Sequence, residues 1–223
     1  LFADPGETDS VIQVRDIPLI FGAYLIGSVP FPYLIAKAVR GIDIREVGSG
    51  NVGATNVGRV VGRKWGILVF ALDLLKGFLP TLAALLLHGC RVGEPALPPG
   101  VALTGFAAVA GHNWPLFLKF KGGKGMATSC GVFLAVFPLG VLIAMGVWAA
   151  AVAVTRYISV GSMVAAATLL ACALLLGRDP FGTGKFLTAL AAVAAVLSIV
   201  RHRANIGRLV QGTENRIGRK TAD

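Results

Sequence analysis

The chain has 223 residues, of which 55% are hydrophobic and only 14% charged, and its mean hydropathy is +0.75. Ordinary soluble domains carry roughly 25% charged residues, so a water-soluble enzyme is excluded and one domain of packed membrane helices is expected. The net charge of +10 raises nucleic acid as a partner, but the basic residues are scattered among glycines without stacking aromatics and read instead as the positive-inside signal of a membrane protein.

Residues 1–16 are polar and read as an N-terminal tail. No cleavable signal is expected there, because the first apolar run continues to about Val39 without an A-x-A site. Five apolar runs follow: Ile17–Val39, Trp65–Leu87, Val101–Phe120, Ser159–Leu176 and Phe186–Val200. Each approaches the roughly 20 residues needed to cross about 30 Å of hydrocarbon. A sixth region, Met126–Thr155, is too long for one straight span. Pro138 is the natural break, because proline removes a helix hydrogen bond and disfavours helical geometry in the residue before it. A short helix over about 126–137 and a longer one over about 138–155 result.

That division sets the topology. The connection Arg40–Lys64 carries Arg40, Arg45, Arg59, Arg63 and Lys64; the loop after the third run carries Lys119, Lys121 and Lys124; the C-terminus carries Arg201, Arg203, Arg208, Arg216, Arg219 and Lys220. With seven transmembrane helices, N-terminus out and C-terminus in, all of these lie inside together with Arg156, and only Arg15, Arg91, Arg178 and Lys185 lie outside. The expectation is an all-α polytopic integral membrane protein. Its single transmembrane domain covers residues 17–218, and residues 219–223 form a C-terminal tail.

Three polar, glycine-rich stretches interrupt this oily sequence: GSGNVGATNVGR (Gly48 to Arg59), GHNWPLFLKFKGGKG (Gly111 to Gly125) and RHRANIGRLVQGTENRIG (Arg201 to Gly218). In the topology above they all reach the same side. Polar residues persist near hydrocarbon only where they line a site or a water-filled cavity. In the first stretch Gly48, Gly50 and Gly53 let backbone N–H groups turn toward an anion, and Ser49, Asn51, Thr55, Asn56 and Arg59 add donors suited to phosphate. A plain flexible loop uses the same turn residues, but not with this density of donors.

The second stretch ends in Lys121-Gly122-Gly123-Lys124-Gly125 and opens the next helix, where backbone donors and the helix dipole favour an anion. It is not a Walker A motif, since Gly125 follows Lys124 and Leu118 occupies the place of the first glycine; ATP hydrolysis is not inferred. No Asp follows His112 at the spacing of an HxxxxD acyltransferase motif, and His112 alone reads as a structural hydrogen-bonder. In the third stretch His202, Asn205 and Arg208 recur at i, i+3 and share a face if the last helix continues, with Glu214 beyond Gly212. Arg201, Arg203, Arg216, Arg219 and Lys220 fit a basic segment lying on anionic headgroups. Within the second run, Asp73 and Lys76 are costly at membrane depth unless paired or facing a cavity; a structural ion pair and a supporting role beneath the site both satisfy this. The cysteines Cys90, Cys130 and Cys172 lie far apart without a CxxC pair, so no disulfide framework, metal site or cofactor is expected.

These stretches, with GSVPF (Gly27–Phe31) and LDLLKG (Leu72–Gly77), resemble the bacterial acyl-phosphate:glycerol-3-phosphate acyltransferase family from about Phe21 to Gly218. The resemblance implies a seven-helix enzyme of the bacterial inner membrane with its active site facing the cytoplasm. It would move a fatty acyl group from acyl phosphate to the 1-hydroxyl of sn-glycerol 3-phosphate. Lysophosphatidic acid and phosphate would result, in the first step of phospholipid synthesis, without a metal, a cofactor or an obligate protein partner. By the same resemblance Ser49, Arg59, Lys124, His202 and Asn205 form the catalytic set that holds glycerol 3-phosphate. Gly48, Gly50, Asn51, Thr55, Asn56, Gly122, Gly123 and Arg208 bind substrate, and Glu214 orders the cluster. The general base is either His202 or a phosphate of the substrate. A transporter for an organic phosphate is the rival reading, but the polar residues gather at one face rather than at the midplane of paired halves. A metal-dependent phosphatidyl transferase would need a carboxylate cluster that the sequence does not offer.

Overall fold

The computed structural model describes residues 11–94, 96–177 and 179–218, and all regular structure among them is helical. In chain order the helices are α1 (Asp16–Ser28), α2 (Phe31–Arg40), α3 (Ala54–Val60), α4 (Arg63–Leu87), α5 (Pro99–Asn113), α6 (Met126–Val136), α7 (Pro138–Thr155), α8 (Ile158–Leu176), α9 (Lys185–Arg201) and α10 (Arg203–Val210), with a 3-10 turn at Leu116–Leu118. Five segments are long and apolar enough to cross a membrane, the first being α1 and α2 together, and a sixth is added if α9 and α10, bent by 52°, count as one.

Proline places the breaks. The division of the 126–155 region falls where the sequence puts it, with Phe137 leaving helical geometry before Pro138. Two further breaks depart from the expected runs. The first run is interrupted at Val29–Pro30, where Val29 is extended. The third stops at Asn113, not Phe120, because Trp114 stands before Pro115 and leaves helical geometry. Asp16, assigned by sequence to the polar tail, opens α1 and is fully buried. It pairs with His88 Nε2 at 2.7 Å and thereby ties the start of α1 to the end of α4. The tail residues 1–10, Arg178 and the C-terminal residues 219–223, with Arg219 and Lys220, lie outside the described residues.

Glycine sets the close packing of α4 on α6. A methyl group at Gly77 would collide with the Thr128 carbonyl, and one at Gly131 with the Leu74 carbonyl, so the two backbones approach as small residues allow in membrane bundles. Gly27 and Gly111 do the same for α1 and α5, facing the Ala108 and Tyr24 carbonyls. The main apolar core fills the bundle, with Leu85, Val101, Val132, Phe133 and Leu187 buried. A smaller core of Ala36, Ile44, Val52, Val57, Val61, Val69 and Leu118 supports the first polar stretch.

Chain direction brings the polar stretches to one end. Gly93, in the connection after α4, lies against Pro138, which puts the α6–α7 junction at the end remote from α3. The α7–α8 junction is back at the near end, where the Arg156 carbonyl accepts from Ile217 N at 2.9 Å. The 11 residues of α6 span only about 16 Å at 1.5 Å per residue.

Candidate active site

The first polar stretch is held by its own asparagine. Asn56 is buried, its Oδ1 accepts from Ser49 N at 2.9 Å, and its Nδ2 donates to the carbonyls of Ile44 at 3.1 Å and Val47 at 3.0 Å. Asn56 was expected at the substrate; both of its N–H donors are engaged inside the loop, so it shapes the site with no donor left for a phosphate. Gly48 and Gly50 adopt φ of +66° and +67°, a conformation that favours glycine and turns the loop back over Asn56. Among the described residues the side chains of Ser49, Asn51 and Thr55 make no hydrogen bond to protein, and each is partly exposed. They stand on the rim of the site without a direct bond to the cluster described next.

The second stretch is seated on the end of α5. Gly123 N donates to the His112 carbonyl at 3.2 Å. Side chains at Gly122 or Gly123 would collide with His112, and at Gly123 also with the Val52 carbonyl, so these glycines are required for the loop to reach both α5 and the first stretch. Arg201 clamps the loop from the other side. Its Nε donates to the Gly123 carbonyl at 2.9 Å, its Nη2 to the carbonyls of Gly122 at 2.9 Å and Asn113 at 3.2 Å, and its guanidinium lies 5.6 Å from the Trp114 ring centre. Sequence reasoning grouped Arg201 with headgroup-binding residues. The structure turns it inward instead, since α9 ends beside carbonyls that no helix satisfies. An arginine at a helix end next to a broken polar loop was the available signal.

The third stretch meets the second at Lys124, whose Nζ donates to Asn205 Oδ1. Asn205 Nδ2 donates to Glu214 Oε1 at 2.6 Å, Ser159 Oγ to the same oxygen at 3.0 Å, and Arg208 Nε to Glu214 Oε2 at 2.7 Å. Ser159, at the start of α8, is a member of this network that sequence did not single out. The expected continuous helix instead bends at His202, so Asn205 and Arg208 lie on α10 while His202 sits in the break. His202 is buried, and its Nδ1 lies 2.7 Å from the Ser198 carbonyl. Nδ1 is therefore the donor and Nε2 is left to accept.

The electrostatics follow from this geometry. Burial holds the Lys124 ammonium well below the usual lysine value, at about 8, against the attraction of Glu214; the charges of Arg208, Arg59 and Arg201 act with the burial. For Glu214 burial works to raise the value, but hydrogen bonds from Asn205, Arg208 and Ser159 outweigh it and keep the carboxyl below its ordinary range. Arg59, exposed on α3, lies within the field of Glu214 and Arg208, and His202 within that of Lys124. Lys124, Asn205, Arg208 and Glu214 are thus directly joined, and Arg59 and His202 border them. The arrangement is a cationic pocket, ordered by one buried carboxylate, at one end of a membrane bundle. It suits an oxyanion-bearing ligand.

A protein-family model described as glycerol-3-phosphate acyltransferase matches residues 17–212. The glycerol-3-phosphate acyltransferase of Geobacter sulfurreducens is 48% identical over 204 residues, covering 92% of this chain and 98% of that protein. That of Desulforamulus reducens is 42% identical over 210 residues, covering 94% and 99%. The crystal structure of PlsY (YgiH), an integral membrane glycerol 3-phosphate acyltransferase, in its glycerol 3-phosphate form superposes with a TM-score of 0.83 at 42% identity, covering 92% of this chain and 96% of that one. The lysophosphatidic acid form of PlsY gives 0.80 at 41%.

Proposed function

The chain belongs to the glycerol-3-phosphate acyltransferase family, and from that premise we propose that it moves a fatty acyl group from an acyl phosphate to the 1-hydroxyl of sn-glycerol 3-phosphate, yielding lysophosphatidic acid and inorganic phosphate. The observation that carries this reading is the Lys124–Asn205–Glu214 chain, which joins two remote polar stretches into one cationic pocket. Both substrates carry phosphate, and the pocket concentrates Lys124, Arg59 and Arg208 around the place where phosphate would bind.

A mixed anhydride is already activated, so positioning and charge stabilisation suffice. The hydroxyl oxygen attacks the acyl carbonyl carbon, the bond from that carbon to the phosphate oxygen breaks, and phosphate departs with the electron pair. Ser49, Lys124 and Arg59 hold the acceptor, glycerol 3-phosphate, while Asn51, Thr55 and the backbone around Gly48, Gly50, Gly122 and Gly123 hold the donor. The hydroxyl proton leaves on a phosphate oxygen. His202, buried and within the field of Lys124, resists a further positive charge and orients the hydroxyl through Nε2. The positive-inside distribution of basic residues supports a pocket on the cytoplasmic face of the inner membrane.

The test is phosphate release from palmitoyl phosphate by the reconstituted protein, with and without glycerol 3-phosphate. Release that requires glycerol 3-phosphate, with equimolar lysophosphatidic acid, supports the reading. Folded protein that releases none refutes it and directs attention to equilibrium uptake of glycerol 3-phosphate by proteoliposomes.

A further inference from the structure

Beneath the pocket lies a second set of polar residues that the reaction as written does not use. Asp73 and Lys76 on α4 are an ion pair at 2.7 Å, their side chains only 1% and 3% exposed. Asp73 is ten residues into α4, about 15 Å along its axis. Lys76 Nζ also donates to the Val29 carbonyl at 3.0 Å, a carbonyl released by the break before Pro30. Asp73 Oδ1 faces His112 Nδ1 at 3.6 Å, and that buried nitrogen has no hydrogen-bond partner. A shift of a few tenths of an ångström would make the Asp73–His112 hydrogen bond. His112 in turn bears the loop, through its carbonyl to Gly123 N at 3.2 Å and through its ring packed against Gly123, the residue before Lys124.

We infer that Asp73, through His112, is a positioning residue for Lys124: a buried polar chain from the broken first span to the Gly122–Gly125 loop sets where the Lys124 ammonium sits. An ion pair serving stability alone could stand anywhere along α4. This one stands where α4 passes under the loop, and it reaches an imidazole that touches that loop at Gly123. Partners that orient a metal's ligands typically contribute about 10–100-fold to affinity or activity, and a lysine seated through its neighbour is expected to depend on orientation on a similar scale. The inference rests on the function proposed above and adds to it a residue that touches neither substrate.

The experiment uses full-length protein in lipid vesicles and follows glycerol 3-phosphate-dependent phosphate release against pH. Asp73→Asn is expected to lower kcat/KM for glycerol 3-phosphate at least about tenfold. It is also expected to move the alkaline limb of the profile upward by about one unit, as Lys124 loses its buried seat and regains an ordinary ammonium. The double variant D73N/K76M removes both buried charges together, which spares the unpaired ammonium that a single change leaves, and it decides the matter if D73N does not fold. Its thermal stability should approach wild type while the kinetic defect and the shifted limb persist. Wild-type kinetics in the folded double variant would reduce the pair to a stability element and overturn the inference, as would a kinetic loss with an unmoved limb. Wild-type protein without glycerol 3-phosphate-dependent release would overturn the functional reading itself, and the positioning role with it.

Discussion

Asn205 donates to Glu214 at 2.6 Å while its carbonyl oxygen accepts from Lys124, so one amide couples the carboxylate on the C-terminal segment to the ammonium of a loop 81 residues earlier. The amide has one orientation that serves both neighbours, and the charge of Glu214 selects it. Glu214→Gln places an amide nitrogen against either Asn205 or Arg208. It should lower kcat/KM for glycerol 3-phosphate about tenfold or more, with a smaller loss in Glu214→Asp. Steady-state phosphate release measures both.

Removing the charges proposed to bind phosphate should act on turnover rather than on folding. Lys124→Ala and Arg59→Ala are each expected to cut turnover at least about tenfold, since charge-assisted bonds to phosphate are lost. Size-exclusion profiles and thermal unfolding of the purified variants should match wild type. Near-wild-type activity in both would remove these residues from the site.

The value of about 8 for Lys124 gives a pH dependence with a definite sign. Burial depresses the value, so the ammonium is charged below about pH 8 and neutral above it. A phosphate needs the charged form, and kcat/KM, which reports groups of the free enzyme, should fall as pH rises through about 8. Lys124→Arg, which stays protonated throughout, should lose activity near neutrality yet lack that alkaline limb. The profile is read after subtraction of uncatalysed acyl phosphate hydrolysis.

Arg201 clamps three backbone carbonyls, and a hydrogen bond to a charged group contributes about 1.5–3 kcal/mol. Arg201→Ala should lower both thermal stability and glycerol 3-phosphate affinity. Arg203→Ala, on an exposed neighbour, should do neither. Differential scanning fluorimetry alongside the KM for glycerol 3-phosphate separates the two residues.

Packing glycines should divide by what their faces meet. Gly131→Ala drives a methyl group into the Leu74 carbonyl, backbone against backbone, and should cost at least about 2 kcal/mol or prevent assembly. Gly146→Ala, which meets nothing within 4 Å on α7, should leave thermal stability unchanged or slightly raised. The comparison is a melting curve of each variant in the same detergent.

The helical membrane class, the division before Pro138, the common end of the three polar stretches and most of the pocket were legible in the sequence. These are local matters: apolar runs of spanning length, a proline that cannot continue a helix, and basic residues sorted to one side. Lys124, Asn205, Arg208 and Glu214 stood out because polar groups at such positions must find partners. Legibility ended where a residue's role depends on what faces it. Asn56 and Arg201 look like ligand and headgroup residues by type, yet their partners are backbone carbonyls from chain segments 9 to 88 residues distant. Ser159 joined the network only because α8 begins beside the C-terminal segment. The bend at His202, the end of α5 at Asn113 and the placement of Asp73 beneath His112 were likewise set by packing. Composition and spacing state which groups must be satisfied, and only the folded bundle, by bringing remote backbone and side chains within about 3 Å, decides which groups satisfy them.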